Sequence, residues 1–333
     1  MKITILSDGG WGSALSKVLC DNGHQVVMWG AFPEYIEEMK TTRENRKFLR
    51  GVKLHDALEF DSCMASAVKD ADLLVLATPT QYLRGVLTQL REVYSAGSNA
   101  LLVNVAKGIE ENTWLRISQM VAEILPEAPY AVLSGPSHAE EVARGVPTAV
   151  TVASAAPGCA ELVQQLMMNT HFRVYTSCDP IGVQLGGAIK NVMAIAAGVI
   201  DGMQLGDNPK AAMMTRAVAE MGRLGAALGG NSATFSGLAG IGDLIVTCCS
   251  QYSRNRHVGE ELGKGKKLDQ ILQEMGMSVA EGVATSRGIC ALANQVAVEV
   301  PICRQIFAII YEDLDPQIAV RNLMTRAARA EME

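Results

Sequence analysis

The sequence lacks the features that mark membrane-inserted, metal-binding and nucleic-acid-binding proteins. Its net charge is −6 and it contains no long basic stripe, which argues against a nucleic-acid partner. The eight cysteines have no CxxC spacing and no paired histidines accompany them, so we expect free thiols and no metal site. The opening "MKITIL" lacks the long apolar core and cleavage site of a signal peptide, and we expect a cytoplasmic protein.

A long uninterrupted apolar run is also missing. The longest apolar stretch, residues 183–200, contains Gln184, Lys190 and Asn191, which are costly in a bilayer. This pattern predicts a buried helix and no membrane span. About half of the 333 residues are apolar, which is enough for a sizeable core, and the length favours two domains.

The first half of the chain alternates between β-branched runs and helical patterns, which indicates a parallel sheet covered on both faces. Strands are predicted at Ile3–Leu6, Val26–Trp29, Leu73–Ala77, Leu101–Val105 and Ala131–Leu133, then in "TAVTVAS" and "FRVYT". Helices are predicted at Ser13–Asn22, Glu34–Met39, Gln81–Val93 and Thr113–Leu125. After Ser177 only helical patterns continue. We therefore predict an α/β fold, with a doubly wound Rossmann-type domain over residues 1–177 and an all-helical substrate domain over residues 178–333.

The stretch "ILSDGGWGSAL" lies between the first strand and the first helix, where a dinucleotide-binding loop belongs. Gly9 would let the backbone approach a pyrophosphate, and Gly12 would let the helix pack closely on the strand. Ser7 occupies the place of the first glycine, and Asp8 adds a charge that opposes the pyrophosphate unless it points to solvent. The alternative is a tight turn without a ligand.

The second strand ends in "VVMWGA", so Gly30 and Ala31 offer no acid for the ribose hydroxyls of NAD. No arginine stands there for the phosphate of NADP either, although Arg43 and Arg46 are near in sequence.

Lys190 and Asn191 lie in the middle of the long apolar helix. A buried lysine needs a partner, and its pKa falls toward neutrality, where it can transfer a proton at physiological pH. The alternative is a lysine on a helix edge whose ammonium group reaches solvent.

Further polar candidates follow two later strands. "NVAKGIE" ends a strand with Lys107, and "LSGPSHAEE" does the same with Gly135, Ser137 and Ala139. Ligands bind beyond the carboxyl ends of strands in open α/β sheets, although each stretch is also typical of a plain turn. We interpret His138 as an ordinary residue at a helix start.

The stretch "GLAGIGDLIVTCCSQYSRNR" is the densest in candidates. Asp243 is an acid in apolar surroundings that could orient a lysine. Ser253, Arg254 and Asn255 precede a helical pattern, and together they could form a phosphate or carboxylate site. The alternative is a simple capped helix.

Several motifs together resemble the bacterial NAD(P)-dependent glycerol-3-phosphate dehydrogenases. "WGSAL", "AKGIE", "SGPSHAEE", "GVQLGGAIKNVMAIAAGVIDG", "GLAGIGDLIVTC", "SRNR" and "VAEG" occur in that family's order and spacing over nearly the whole chain. The resemblance implies that Lys190 is the catalytic proton donor and acceptor and that Asp243 is the acid beside it. It implies substrate contacts at Lys107, Gly135, Ser137, Lys190, Asp243, Ser253, Arg254 and Asn255. With the loop glycines, the expected cofactor contacts are Gly9, Gly10, Trp11, Gly12, Lys107, Ala139, Arg254, Val279 and Glu281.

The departures from the family lie in cofactor binding. Ser7-Asp8-Gly9 stands where the family has Gly-Ala-Gly, Gly10 replaces a usual serine, and Ala31 stands where a basic side chain is frequent. The choice between NAD and NADP is therefore open.

The resemblance implies interconversion of dihydroxyacetone phosphate and sn-glycerol 3-phosphate with NAD(P), supplying phospholipid synthesis, and we expect a homodimer. Two alternatives are a related hydroxyacid dehydrogenase and a degenerate nucleotide-binding sensor.

Overall fold

The structure, a computed structural model, describes residues 1–94, 99–277, 279–328 and 330–331. Its strands are β1 (Lys2–Leu6), β2 (Gln25–Trp29), β3 (Glu44–Asn45), β4 (Leu49–Lys53), β5 (Glu59–Asp61), β6 (Leu73–Leu76), β7 (Leu101–Asn104), β8 (Tyr130–Ser134), β9 (Thr148–Ala153) and β10 (Phe172–Ser177). Eight of them form one sheet in the order β10-β9-β8-β7-β6-β1-β2-β5, and β3 and β4 form a separate hairpin.

The main sheet is parallel from β5 to β8, whereas β9 runs antiparallel to β8 and β10 runs parallel to β9. The chain moves from one side of β1 to the other between β5 and β6, so the sheet has a topological switch point between β1 and β6. The loops that follow β1, β6, β7 and β8 meet at one edge. The predicted Rossmann-type fold is confirmed. Two further strands, β9 and β10, extend the sheet and run opposite to the other six.

Helices cover both faces of the sheet. They are α1 (Gly10–Asp21), α2 (Pro33–Thr42), α3 (Met64–Val68), α4 (Thr80–Val93), α5 (Ile117–Ile124), α6 (Ala139–Ala143) and α7 (Cys159–Met167). Alternate residues of β6 enter different cores, Leu73 and Val75 on one face and Leu74 and Leu76 on the other. The strands therefore read as continuous apolar runs because both faces are buried.

The rest of the described chain is helical. Its helices are α8 (Pro180–Gly202), α9 (Asp207–Ala227), α10 (Asp243–Cys249), α11 (Arg254–Gly263), α12 (Leu268–Met275), α13 (Glu281–Gln295), α14 (Pro301–Tyr311) and α15 (Pro316–Met324), with a 3₁₀ turn (Ser232–Ser236) and a π turn (Leu238–Gly242). Helix α8 is long and apolar enough to cross a membrane, but its apolar window is entirely buried inside the protein. It is the core around which the other helices pack, as the sequence predicts.

Helices α8 and α11 cross with their backbones in contact. A β-carbon added at Gly198 of α8 would collide with the carbonyl oxygen of Arg256, and one at Gly259 of α11 with that of Ile195. Glycine at both positions permits this close approach. The crossing fixes the start of α11 relative to the polar residues of α8.

The hairpin of β3 and β4 is not predicted from the sequence, and it covers the first strand–helix loop. Asn45 is fully buried and donates hydrogen bonds to the carbonyl oxygen of Asp8 and to Oγ of Ser13, both at 2.8 Å. Its Oδ1 accepts from the hydroxyl of Tyr35 at 2.6 Å. The prediction of a helix from Thr113 is wrong at its start, because the residues before Ile117 form turns.

Candidate active site

Two lysines share one buried carboxylate at the carboxyl edge of the sheet. Nζ of Lys190 lies 3.0 Å from Oδ1 of Asp243, and Nζ of Lys107 donates to Oδ2 of Asp243 at 2.6 Å. Lys190 and Asp243 are buried, and Lys107 is half-buried. Two positive charges facing one negative charge leave the cluster positive, which suits an anionic substrate or a developing alkoxide.

The pKa of Lys190 is lowered to about 8. Burial is the main cause and the charge of Lys107 adds to it, while Asp243 opposes both. Burial of Asp243 raises its pKa, but the two ammonium groups outweigh burial and hold that pKa below the usual range. At neutral pH Lys190 is therefore charged and close to the point at which it can release its proton.

The three charged residues come from three different elements. Lys107 follows β7, and its Nζ also donates to the carbonyl oxygen of Gly135 after β8 at 3.1 Å. Lys190 lies in the middle of α8, and Asp243 begins α10. Gly187 of α8 has no side chain, and a β-carbon there would lie 3.3 Å from Cγ of Lys107. The fold therefore brings together residues that are far apart in sequence.

Thr247 is a further hydrogen-bond partner of Lys190. Its Oγ1 accepts a hydrogen bond from Nζ of Lys190 at 2.7 Å and donates to the carbonyl oxygen of Asp243 at 2.6 Å. Thr247 lies four residues after Asp243 on one helix, so both face the lysine. This residue is not predicted from the sequence, although the spacing of four was a usable signal.

A chain of buried amides links the cluster to two helices. Nδ2 of Asn191 donates to the carbonyl oxygen of Lys107 at 2.9 Å, and Oδ1 of Asn191 accepts from Nδ2 of Asn255 at 3.0 Å. Oδ1 of Asn255 accepts from the backbone N–H of Gly282 at 2.8 Å. Asn191 and Asn255 thereby hold α8, α11 and α13 against the loop that carries Lys107.

The predicted phosphate residues differ in what they contact. Ser253 is the N-cap of α11, and its buried Oγ accepts from the N–H of Arg256 at 3.2 Å. The side chain of Asn255 is already hydrogen-bonded to Asn191 and Gly282. Arg254 is exposed and makes no hydrogen bond or ion pair with any residue that the structure describes. Arg256 pairs with Asp201 at 2.6 Å. Arg254 is therefore the arginine of this stretch that is available for a ligand.

The turn after β8 lies against the lysine–carboxylate cluster. Gly135 has φ +146°, and a β-carbon there would lie 2.9 Å from Cα of Val150, so this position requires glycine. Oγ of Ser137 donates to the carbonyl oxygen of Gly135 at 2.9 Å. Ala139 is the first residue of α6 and packs on the core of the first half.

His138 is the N-cap residue of α6, at a helix start as the sequence predicts. Its Nε2 is buried without a hydrogen-bond partner among the described residues. Burial lowers its pKa to about 4, and the charge of Lys190 contributes to that lowering. His138 is therefore neutral at physiological pH and lies close enough to Lys190 to sense its charge.

The loop after β1 has the geometry of a phosphate site. Helix α1 begins at Gly10 and its N-cap, Gly9, provides no side-chain cap, so the first N–H groups can donate to phosphate oxygens. A β-carbon at Gly12 would lie 3.0 Å from Ile5, which confirms close packing of helix on strand. A β-carbon at Gly10 would collide with the carbonyl oxygen of Phe48. This contact explains why Gly10 stands where serine is usual.

Ser7 fits this loop without strain. It is absent from the described residues with positive φ, and its Oγ accepts from the N–H of Gly9 at 3.0 Å. Trp11 packs on the core, and its Nε1 is buried without a hydrogen-bond partner among the described residues. The loop is therefore intact, with serine tightening the turn.

The predicted contacts near the start of α13 face the same edge. Oε1 of Glu281 accepts from the N–H of Thr80, which follows β6, at 2.8 Å, and burial raises the pKa of Glu281. A β-carbon at Gly108 would lie 2.7 Å from Oε2 of Glu281, so glycine leaves room for this carboxyl group. Val279 is half-buried two residues earlier. A glycine cradle, an uncapped helix start and buried polar atoms fit a dinucleotide.

Comparison with known proteins agrees with this geometry. The family model described as "NAD-dependent glycerol-3-phosphate dehydrogenase N-terminus" matches residues 2–160, and the corresponding C-terminus model matches residues 179–321. Proteins named "Glycerol-3-phosphate dehydrogenase [NAD(P)+]" are 47% identical to the chain in Bacillus velezensis and in Geobacillus kaustophilus; they cover 100% and 99% of it, and the chain covers 96% of each.

A solved structure agrees as well. The chain is similar to the crystal structure of glycerol-3-phosphate dehydrogenase from Coxiella burnetii, with a TM-score of 0.93 and 36% identity over 98% of this chain and 99% of that one. The matched family models cover both the sheet-containing and the helical half. The chain belongs to the NAD-dependent glycerol-3-phosphate dehydrogenase family.

Proposed function

We propose that this chain interconverts dihydroxyacetone phosphate and sn-glycerol 3-phosphate with NAD(P), in the cytoplasm, and that its product supplies phospholipid synthesis. This proposal rests on the arrangement of Lys107, Asp243 and Lys190 at the carboxyl edge of a Rossmann-type sheet. Residues 1–177 form the dinucleotide-binding domain and residues 178–333 the substrate domain in this proposal. We further propose a homodimer.

In the reducing direction, the ketone oxygen of the substrate gains negative charge. The bound nicotinamide supplies the hydride. Lys190 stabilises the developing alkoxide with its ammonium charge and donates a proton to it. Asp243 fixes the direction of Nζ, and Thr247 of the same helix accepts a second hydrogen bond from that nitrogen. Lys107 adds a second positive charge and steadies the polar end of the substrate.

Arg254 binds the substrate phosphate in this proposal. It makes no hydrogen bond or ion pair with any described residue, and it stands in the first turn of α11, where the helix N-terminus favours anions. Because α11 crosses α8 through backbone contact, the phosphate and the ketone are held at a fixed separation. Ser253 and Asn255 act here through the helix and the amide chain, which their side chains stabilise.

The residues that would hold the cofactor are those of the glycine loop, Gly9, Gly10, Trp11 and Gly12, together with Ala139 and the start of α13 at Val279 and Glu281. The loop geometry argues against the degenerate sensor, because neither Ser7 nor the glycines are distorted. Arg254 at the start of α11, unpaired among the described residues, fits the phosphate of dihydroxyacetone phosphate, whereas a hydroxyacid would present a carboxylate, and turnover of each substrate separates the two functions.

The assay follows nicotinamide oxidation at 340 nm with dihydroxyacetone phosphate, unphosphorylated dihydroxyacetone and 2-keto acids, each with NADH and with NADPH. We expect fast turnover with dihydroxyacetone phosphate alone. Preferred turnover of a 2-keto acid would identify a hydroxyacid dehydrogenase. Cofactor binding without turnover of any substrate would identify a sensor.

A further inference from the structure

Asp8 points into the protein beside the end of β2. Its Oδ2 is buried and makes no hydrogen bond to any described residue. A β-carbon at Gly30, the residue directly after β2, would lie 3.0 Å from this oxygen. Burial raises the pKa of Asp8, while a hydrogen bond from its own backbone and, to a smaller extent, the charge of Lys47 oppose that rise. Asp8 as a whole is half-buried, and a buried carboxylate oxygen without a partner is costly to a protein unless a ligand uses it.

The end of β2 is where Rossmann-type domains place an acid for the adenosine ribose. A side chain at position 30 would displace Ile36 and Asp8, because its β-carbon would lie 2.6 Å from Cδ1 of Ile36 and 3.0 Å from Oδ2 of Asp8. The next residue, Ala31, has no polar group. The carboxyl group of Asp8 therefore lies beside Gly30, where β2 itself supplies no side chain.

Two basic residues that could instead hold a ribose phosphate are committed elsewhere. Arg43 donates to the carbonyl oxygen of Leu58 at 2.6 Å and lies over the ring of Phe60. Arg46 pairs with Glu44 at 3.5 Å. The cation whose charge acts on Asp8 is Lys47, and its Nζ lies 4.0 Å from the centroid of the Tyr35 ring.

From this placement, and resting on the proposed function, we propose that Asp8 is the specificity-determining residue of the cofactor site. Its carboxylate accepts hydrogen bonds from the adenosine ribose hydroxyls of NADH and repels the 2′-phosphate of NADPH. In this chain the loop after β1, and not the end of β2, supplies the acid. The enzyme therefore prefers NADH.

This inference revises the expectation that Asp8 opposes the pyrophosphate. The pyrophosphate is common to both cofactors, so repulsion there would weaken NADH and NADPH equally. Contact at the ribose would instead strengthen the binding of NADH and weaken the binding of NADPH. The ratio of the two dissociation constants separates these explanations.

The test measures the dissociation constants of NADH and NADPH by nicotinamide fluorescence for the parent protein and Asp8→Asn, with NAD+ and NADP+ calorimetry as a second readout. Asparagine keeps the size of the side chain and removes its charge, so folding should be retained. We expect NADH to bind about tenfold more weakly and NADPH about tenfold more tightly in Asp8→Asn, the scale of one charge-assisted contact.

Two control variants use neighbouring charges. Asp61→Asn removes an acid of β5 whose oxygens already accept hydrogen bonds from Cys63 and Ser66, and it should leave the ratio unchanged. Lys47→Gln tests whether the nearby cation sets the preference. A ratio that moves with Lys47→Gln and not with Asp8→Asn would overturn the inference.

Equal tightening of both cofactors in Asp8→Asn would also overturn it, because that result places the charge at the pyrophosphate. An unchanged ratio would do the same and leave the proposed function standing. If the parent binds neither cofactor at millimolar concentration, the proposed function and this inference both fail.

Discussion

The ammonium group of Lys190 lies 3.0 Å from Oδ1 of Asp243 in the interior of the protein, although the two residues belong to different helices. Burial pushes Lys190 toward its neutral form, and the carboxylate holds it charged. The balance leaves a lysine that is protonated at neutral pH and releases its proton readily. This relationship is the physical basis of the proposed acid–base chemistry.

The charge of Lys107 should control the pH dependence of the reaction. Oxidation of glycerol 3-phosphate needs neutral Lys190, so kcat/KM should rise as pH passes through about 8; reduction needs the charged form and should fall there. Lys107→Met removes a neighbouring positive charge and gives Asp243 to Lys190 alone, so the pKa of Lys190 rises. The rise for oxidation and the fall for reduction should therefore both move to higher pH when kcat/KM is measured as a function of pH.

The control for this variant is Lys17→Met, which removes a surface lysine that pairs with Asp21. Its profile should superimpose on that of the parent. A Lys107→Met profile that keeps the parent's midpoint, whatever its amplitude, would show that Lys107 does not tune Lys190.

Arg254 should contribute to substrate binding through the phosphate. Arg254→Ala should weaken productive binding of dihydroxyacetone phosphate by about 2 kcal/mol, the scale of a charge-assisted hydrogen bond, and this loss is measured as kcat/KM. Unphosphorylated dihydroxyacetone, a poor substrate already, should lose much less. Equal losses for both substrates would exclude a phosphate contact.

Asn255 should matter for stability as well as for activity. Asn255→Ala leaves Oδ1 of Asn191 and the N–H of Gly282 without their buried partners, so the free energy of unfolding should fall by about 1–3 kcal/mol in urea denaturation. The exposed Arg254→Ala is the matched comparison and should change stability by less than about 0.5 kcal/mol. Full stability of Asn255→Ala would show that the amide chain is not structural.

The fold was largely predictable from the sequence because buried parallel strands and helices leave strong periodic patterns. The hairpin of β3 and β4 is not predicted because its strands are only two and five residues long, and Asn45 owes its burial to contacts with residues far away in sequence. The reversed direction of β9 and β10 is set by long-range pairing, which local patterns do not encode.

The catalytic candidates were predictable where a polar residue interrupts an apolar pattern, as Lys190 and Asp243 do. Two neighbours of Lys190 were harder to predict. Thr247 and His138 look like ordinary helix residues until the fold brings them beside Lys190. The orientation of Asp8 depends on the missing side chain at Gly30, and only the packed structure shows that space.

The most direct test of the central claim compares the parent with Lys190→Met. Turnover of dihydroxyacetone phosphate should fall by roughly two to four orders of magnitude, because a proton donor and its charge are both lost, while the dissociation constant of the reduced cofactor should stay within about threefold of the parent's. If Lys190→Met keeps more than about a tenth of the parent's turnover, Lys190 is not the acid–base residue and the account is contradicted.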